Sequence, residues 1–279
     1  MTAPLIRHLP DIGVTVISRW VFNCYLIHDG GDGRPFVVDL GLPSQLPLLA
    51  DELTRRGSHV DDLSSAVATH GHLDHVAGLV PLRAQADTAV FLPSTLRDIV
   101  DGTIPRRSPG PKQVAQILPV LADQPRDLDA LRELKPLQGS IGYDADSAHL
   151  PFEPTAWLAD HDRLPGLPDW EVIHAPGHTD DATCLYHEPT RTLLSGDSVL
   201  AYGGQAWFNP EYVDARRSAA TETRLRQLDV EHLLPGHGRV VSGDRVMDHA
   251  LSFAERPAGG SKTRALWRIL IGDASRRQV

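Results

Sequence analysis

The residues of this chain best suited to chemistry are concentrated in a short segment rich in histidine. Residues 69–75 read Thr-His-Gly-His-Leu-Asp-His, so three imidazoles and one carboxylate fall within six consecutive positions. The segment follows a predicted strand at 65–69 and precedes a predicted helix, and a turn between them can direct several side chains at one point. Imidazole and carboxylate ligands suit zinc, iron and manganese. The segment therefore predicts a metal site that includes His70, His72, Asp74 and His75.

Three more candidate ligands follow predicted strands elsewhere in the chain. His178 lies in Ala-Pro-Gly-His-Thr, Asp197 in Ser-Gly-Asp-Ser and His237 in Pro-Gly-His-Gly. Each is next to a glycine, which allows the close backbone approach that a metal site often requires. Packing alone does not explain why this arrangement occurs three times. We therefore expect the three side chains to converge on the histidine-rich segment.

With these residues in place, the chain resembles the metallo-β-lactamase superfamily of metallohydrolases. The family signature His-x-His-x-Asp-His is intact at 70–75, and the remaining ligand positions follow in family order. The resemblance covers roughly residues 14–250, apart from one insert. It implies an α/β (α+β) fold, the αββα sandwich, with the site at one edge. In the implied ligand set one metal ion binds His70, His72 and His178, the other binds Asp74, His75 and His237, and Asp197 bridges them.

The resemblance also implies a hydrolytic mechanism with two Zn²⁺ ions as cofactors, iron and manganese being other metals that such ligands accept. Two nearby cations lower the pKa of the water between them from about 15.7 towards 7, and the bridging hydroxide attacks a carbonyl carbon. Asp74 and Asp197 are the catalytic carboxylates of this scheme. Tyr202 is a candidate for a hydrogen bond to the oxyanion, with simple packing as the other interpretation.

Supporting residues surround these ligands in the sequence, whereas rival nucleophiles are poorly represented. In similar proteins the positions of Asp39, Thr69 and Thr179 orient the histidine ligands through hydrogen bonds. A role in a turn or cap explains these three residues equally well. The chain has no Gly-x-Ser-x-Gly motif, and Cys24 and Cys184 lie outside the site motifs. Covalent catalysis by serine or cysteine is therefore weakly supported.

Departures from known branches of the family narrow the expected activity. Zinc β-lactamases place a cysteine ligand where this chain has Asp197, or lack a bridging carboxylate there, so a true β-lactamase is not expected. Glyoxalase II, a thioester hydrolase, shares the ligand set, but roughly 40 residues after His237 leave little counterpart for its glutathione-binding domain. Quorum-quenching lactonases have a tyrosine where this chain has Leu200. We expect a hydrolase of a small ester, thioester or lactone, close to the glyoxalase II-like and lactonase-like branches.

Two other reaction classes stay open. Persulfide dioxygenases also resemble the chain, but they use a single iron ion and do not need the second site. A metal-dependent nuclease would need a basic groove, for which Arg106, Arg107 and Lys112 are the candidates. The formal net charge of −9 disfavours it, because an acidic surface repels phosphate backbones. We therefore expect the protein to bind a small-molecule substrate and not nucleic acid. A homodimer is the one protein assembly that we consider.

Alternating strand and helix patterns must position these side chains. Strands are predicted at 14–18, 21–27, 35–39, 65–69, 89–92, 170–174, 182–186, 191–194 and 232–234. Helices are predicted at 44–56, 76–83, 214–228 and 243–255. The turn residues 29–33 indicate that the second and third strands form a hairpin. Strands interleaved with helices indicate α/β organisation.

The alternation stops between residues 94 and 156, where only helices at 112–121 and 127–134 are predicted. About 60 residues form a marginal core alone, so we interpret 94–156 as a lid or cap within one catalytic domain, 1–255. Such a segment is expected to shape substrate choice. Residues 256–279 are predicted to be a linker and a short basic amphipathic helix from 263 onward.

Cellular context follows from composition. No run of about 18 apolar residues is present, and residues 1–14 lack the apolar segment of a signal peptide. The two cysteines are 160 positions apart and do not form a disulfide framework. We therefore expect a cytoplasmic protein with no membrane partner.

Overall fold

The computed structural model describes residues 4–31, 33–258, 263, 265 and 269. Its strands are β1 Leu5–Leu9, β2 Val14–Arg19, β3 Phe22–Ile27, β4 Phe36–Val38, β5 Ser65–Val67, β6 Ala89–Pro93, β7 Gly142–Tyr143, β8 Ala148–His149, β9 Ala156–Leu158, β10 Arg163–Leu164, β11 Leu167–His174, β12 Thr183–His187, β13 Thr192–Gly196, β14 Val199–Tyr202, β15 Gln205–Phe208, β16 His232–Pro235 and β17 Val241–Ser242. Its helices are α1 Gln45–Arg55, α2 Leu73–Val76, α3 Leu79–Gln85, α4 Ser94–Val100, α5 Pro111–Val114, α6 Leu118–Ala122, α7 Leu128–Leu134 and α8 Ala215–Leu225.

Two large mixed sheets carry most of these strands. The first has the order β1-β2-β3-β4-β5-β6-β9, and the second has the order β10-β11-β12-β13-β16-β17. The strands β4, β5, β6 and β9 run parallel, as do β13 and β16. The predicted hairpin is present as the antiparallel pair β3 and β4. The loops after β5, β11, β13 and β16 carry the predicted ligands.

Strand β3 shows how the sheets are layered. All six of its residues are buried, so both of its faces lie in a core. Cys24 and Leu26 pack with the helices outside the first sheet, whereas Tyr25 and Ile27 pack between the two sheets. This is the two-residue alternation expected of a strand buried on both faces. A third core joins the outer face of the second sheet to α8, so the order of layers is helix, sheet, sheet, helix. The predicted αββα fold is confirmed.

The segment 94–156 is bound to the body at several points. Leu96 and Ile99 of α4 are buried in the core outside the first sheet. Farther along, Arg19 donates to Asp127 at 2.7 Å. The indole of Trp20 donates to the carbonyl of Leu121 at 2.9 Å. The segment therefore packs on the turn that joins β2 and β3, and the strand at its C-terminal end, β9, pairs with β6.

The helix predicted at 243–255 is wrong. The structure has β17 and then a 3₁₀ turn at Val246–His249. Arg245 adopts a left-handed conformation with φ of 45°, which a right-handed helix cannot continue through. Val246 and Met247 are buried against the second sheet, so their apolar character reflects packing without a helix.

Other boundaries shift by a few residues. The helix predicted at 76–83 is α3, which begins at Leu79, and the helix predicted at 112–121 divides into α5 and α6. Of the predicted C-terminal helix only 263, 265 and 269 are described, and they are helical; the rest lies outside the described residues. Within the part of the chain that the structure describes, no helix is long and apolar enough to cross a membrane.

Candidate metal centre

The structure brings all seven predicted ligands into one cluster at the edge of the sandwich. Three overlapping sets have ligand atoms within 4.8 Å of one another: His70, His72 and His178; His70, His75 and Asp197; and Asp74, His75 and His237. We refer to the first set as the three-histidine group and to the third as the aspartate group. They are the two sets that the family resemblance implies for two separate ions.

The three-histidine group has the spacing that a tetrahedral metal requires. His72 Nδ1 lies 3.3 Å from His178 Nε2. Two nitrogens bound at 2.0–2.1 Å to one tetrahedral zinc ion would be roughly 3.3 Å apart. The other ring nitrogen of His178, Nδ1, donates to the carbonyl of Glu211 at 2.7 Å. With Nδ1 engaged by that carbonyl, Nε2 is the ring nitrogen that faces the cluster.

The aspartate group is oriented by different contacts. His237 Nε2 lies 3.3 Å from Asp74 Oδ2, and its Nδ1 donates to the carbonyl of Val21 at 3.2 Å. His75 Nδ1 lies 3.0 Å from the Asp39 carboxylate, so its Nε2 faces the cluster. In both histidines, one ring nitrogen contacts another group of the protein, and the other faces the cluster, where it could bind a metal ion.

Asp197 lies between the two groups. Its Oδ2 is 3.5 Å from His178 Nε2 and 3.1 Å from His237 Nε2, while Oδ1 is 3.5 Å from His75 Nε2. Its side chain is only 5% exposed. One carboxylate therefore faces histidines of both groups.

Buried polar atoms in the cluster indicate that a cation fits there. Among the described residues, His70 Nε2, His75 Nε2 and Asp197 Oδ1 are buried without a hydrogen-bond partner. Each such atom costs about 1–3 kcal/mol if nothing satisfies it. A Cβ at Gly236 would overlap Asp197 Oδ1 and lie 2.7 Å from His75 Cε1, so the chain leaves this space open. The donor set, the spacing and the unsatisfied atoms all fit a divalent metal site.

Burial and neighbouring charges shift the histidine pKa values in opposite directions in the two groups. Burial, with the neighbouring histidines, lowers the pKa of His70 and lowers that of His72 to about 3. Burial also lowers the pKa of His237, but Asp197 and Asp74 outweigh it and raise that pKa to about 10. The pKa of His75 is raised in the same way, against burial, by Asp39 and Asp197. Without metal, these raised pKa values favour the protonated form of the two histidines of the aspartate group at neutral pH, whereas His70 and His72 are neutral.

Metal binding is therefore expected to release protons from the aspartate group. Both ring nitrogens of His237 are protonated at pH 7 because its pKa is about 10, and a metal must displace the proton on Nε2. The raised pKa of His75 acts in the same direction. Affinity at this group should rise with pH between 6 and 8, by about tenfold per unit for the proton displaced from His237. Calorimetric titration of Zn²⁺ into metal-free protein, in buffers of different ionisation enthalpy, measures the release. A binding heat that does not depend on the buffer would contradict this assignment.

The three supporting residues proposed from the sequence lie close to the cluster. Asp39, which has φ of 55°, accepts from the backbone N–H of Thr69 at 2.8 Å and from its hydroxyl at 2.9 Å, besides facing His75. The Thr69 hydroxyl is 3.2 Å from His70 Nδ1. The carbonyl of Thr179 accepts from the N–H of Gly177, which closes the turn that carries His178. All three residues are buried.

Tyr202 is placed differently. It lies at the end of β14 and packs with the buried cluster of Val120, Leu200 and Trp207. The packing interpretation accounts for this contact, and the hydrogen bond to an oxyanion stays a prediction.

Sequence reasoning missed several residues that support the site. Asn209 donates to the Asp197 carbonyl at 2.8 Å and accepts from the N–H of Glu211 at 2.8 Å, so it connects Asp197 to the carbonyl that holds His178. Asp181 accepts from the backbone N–H of Gly71, which lies between His70 and His72, and the backbone N–H of Tyr143 donates to the Gly71 carbonyl. No spacing pattern marks these residues, since each acts through a contact between distant parts of the chain.

Comparisons with known proteins agree with this geometry. The family model for the metallo-beta-lactamase superfamily matches residues 19–237. The chain is 24% identical over 265 residues to the probable metallo-hydrolase YflN of Bacillus subtilis, covering 88% of this chain and 90% of that protein. It is 44% identical over 180 residues to a hydroxyacylglutathione hydrolase of Cereibacter sphaeroides, covering 64% of this chain and 48% of that protein.

Solved structures show the same fold. TTHA1623 in a di-iron-bound form superposes with a TM-score of 0.52 at 23% identity, covering 81% of this chain and 92% of that one. The metallo-beta-lactamase family protein TTHA1429 from Thermus thermophilus gives 0.54 at 20% identity, covering 95% and 79%. The match over most of the chain, together with the convergence of histidines and aspartates, shows that the chain belongs to the metallo-β-lactamase superfamily of metallo-hydrolases.

Proposed function

We propose that the chain is a dinuclear zinc hydrolase that cleaves a small ester, thioester or lactone. The observation that carries the proposal is the position of Asp197, whose carboxylate faces His178 of the three-histidine group and His75 and His237 of the aspartate group. A protein with a single metal ion would not need both complete groups. The proposal assigns all seven clustered side chains as ligands.

Two divalent cations held by these seven side chains would supply Lewis-acid chemistry, which activates water as a nucleophile and polarises a carbonyl group. The protein's part is to hold the ligands and to exclude bulk water. Histidines with one nitrogen tied to Glu211, Val21 or Asp39 cannot rotate out of the site. Asp197 and Asp74 carry negative charge at neutral pH because nearby histidines, against the effect of burial, lower both carboxyl pKa values. With two divalent cations bound, the charges of Asp74 and Asp197 would offset part of the cationic charge, and the remaining positive charge would favour an anionic transition state.

The exposed fractions of the candidate ligands indicate the side from which a substrate would enter. The Asp74 side chain is 24% exposed, whereas those of His75 and Asp197 are 1% and 5% exposed. His72 is also partly exposed. We therefore place the substrate carbonyl on the side of His72 and Asp74. The segment 94–156, interpreted as a cap on the catalytic domain 1–255, reaches His72 through Tyr143.

Thioesters come first among the substrate classes. Support comes from the similarity to a hydroxyacylglutathione hydrolase, although the matched region spans 48% of that protein. A nuclease is disfavoured because Arg107, one of the three basic residues considered for a phosphate-binding groove, pairs with Asp180 and Asp214. A guanidinium held by two carboxylates offers little attraction to a phosphate backbone.

Metal analysis followed by a substrate screen tests the proposal. We expect purified protein to carry about two zinc ions per chain, and chelation to abolish its activity. Thioesters, esters and lactones should be hydrolysed faster than β-lactams and phosphodiesters. His70→Ala and His237→Ala should each abolish hydrolysis while the fold survives. One iron ion per chain with sulfur-dependent oxygen uptake would instead support the persulfide dioxygenase alternative.

A further inference from the structure

Two adjacent aspartates on the His178 loop are buried away from water. Asp180 and Asp181 lie two and three positions after His178, and they are 4% and 0% exposed. Burying a carboxylate is costly unless hydrogen bonds or cations compensate. Asp180 is compensated by Arg107, whose Nε donates to it at 2.7 Å, and by Arg217 at 2.6 Å. Asp181 has partners of another kind.

Asp181 joins two loops that hold candidate ligands. Its Oδ2 accepts from the backbone N–H of Gly71 at 2.8 Å, and its Oδ1 accepts from the hydroxyl of Tyr143 at 2.6 Å. Gly71 is the residue between His70 and His72. One carboxylate therefore connects the loop of His178 to the loop that carries the other two members of the three-histidine group.

Tyr143, in the segment 94–156, completes this contact. Its backbone N–H donates to the carbonyl of Gly71 at 2.9 Å, and its ring lies 5.2 Å from the ring of His72. A Cβ at residue 71 would overlap Leu96 and lie 2.9 Å from the Tyr143 ring. The backbone N–H and C=O of Gly71 are thus both held, one by Asp181 and the other by Tyr143.

The aspartate group has separate supports. His75 faces Asp39, and His237 donates to the carbonyl of Val21. Neither contact passes through Tyr143 or Asp181. Loss of the Tyr143–Asp181 contact should therefore affect one metal site more than the other.

We propose that Tyr143 and Asp181 are positioning residues through which the segment 94–156 sets the geometry of the three-histidine metal site. The inference rests on the proposed two-metal function. Residues that orient metal ligands typically change metal affinity by about 10–100-fold when they are removed. The segment then does more than cover the substrate, because it helps to build one of the two metal sites.

The test measures Zn²⁺ affinity by competition with a chromophoric chelator in two single-site backgrounds. Asp74→Ala disables the aspartate group, and His72→Ala disables the three-histidine group. Asp181→Ala should weaken Zn²⁺ binding by about 10–100-fold in the Asp74→Ala background. In the His72→Ala background it should change binding by less than about threefold. Tyr143→Phe, which keeps the ring, should give a smaller loss in the same direction.

Two further variants separate positioning from general stability. Asp181→Asn keeps an acceptor for the Gly71 N–H and can donate to the Tyr143 oxygen, so we expect it to restore affinity to near the wild-type value. Glu52→Ala removes another buried carboxylate, on α1, and should leave both affinities unchanged. If Asp181→Ala does not fold, Tyr143→Phe and Asp181→Asn carry the test.

Equal losses in both backgrounds, or no loss in either, would overturn the inference while leaving the two-metal function in place. Wild-type protein that binds fewer than two Zn²⁺ ions by native mass spectrometry would overturn the proposed function itself.

Discussion

Replacing Asp197 by alanine is expected to reduce kcat/KM by about 10³-fold or more while the fold is retained. The Asp197 carboxylate faces His75, His178 and His237 within 3.5 Å. In the proposed mechanism, the variant loses the one carboxylate that faces both groups. A 10³-fold loss corresponds to about 4 kcal/mol of transition-state stabilisation. Steady-state kinetics on the best substrate of the screen, with metal content measured on the same sample, gives the result.

The matched control is Asp229→Ala. Asp229 is an exposed aspartate that pairs with Arg191, and its loss should leave kcat/KM unchanged. Circular dichroism and thermal unfolding of both variants establish that the fold is intact. Full activity of Asp197→Ala would rule out a mechanism with bridged metals.

Gly236→Ala is expected to have the second-largest effect. The added methyl group would overlap Asp197 Oδ1 and come within 2.7 Å of His75 Cε1. Because both ligands are buried, the methyl group must displace one of them, and a small misplacement of catalytic groups costs about 10²-fold in rate. We expect the aspartate group to lose its metal ion, and we expect kcat/KM to fall by at least about 10²-fold. Metal content and kinetics are measured together.

Gly243→Ala serves as the control for Gly236→Ala. Among the described residues other than its two chain neighbours, no atom lies within 4 Å of the position that its Cβ would occupy. Gly243→Ala should retain wild-type metal content and activity. If Gly236→Ala behaves like Gly243→Ala, the space beside Asp197 is not needed by a metal ligand.

The seven candidate ligands could be found from the sequence because their signals are local. His70, His72, Asp74 and His75 are close in the chain, and the other three each follow a strand and lie beside glycine. The alternation of strands and helices indicated α/β organisation, and the family signature added the αββα arrangement. These patterns depend only on neighbouring residues, which is why they can be read without coordinates.

The supports of the site depend on contacts between distant residues, so the sequence did not show them. Asp181 and Tyr143 are 38 positions apart, and Asn209 acts on a loop that precedes it by 12 positions. The false helix at 243–255 has a related cause. Met247 packs against the second sheet, whereas Leu251 packs beside Trp207. The apolar residues that suggested one face of a helix therefore belong to two different hydrophobic clusters.

The three-histidine group is divided between the two sheets, so a metal ion bound there would stabilise the folded state. His72 follows β5 of the first sheet, whereas His178 follows β11 of the second, and their nitrogens are 3.3 Å apart. An ion held between them is a cross-link that closes a loop of 106 residues. A ligand that binds only the native state at a thousand times its Kd adds about 4 kcal/mol to the free energy of unfolding. The fraction of this protein that is folded in a cell would then depend on the metal available there.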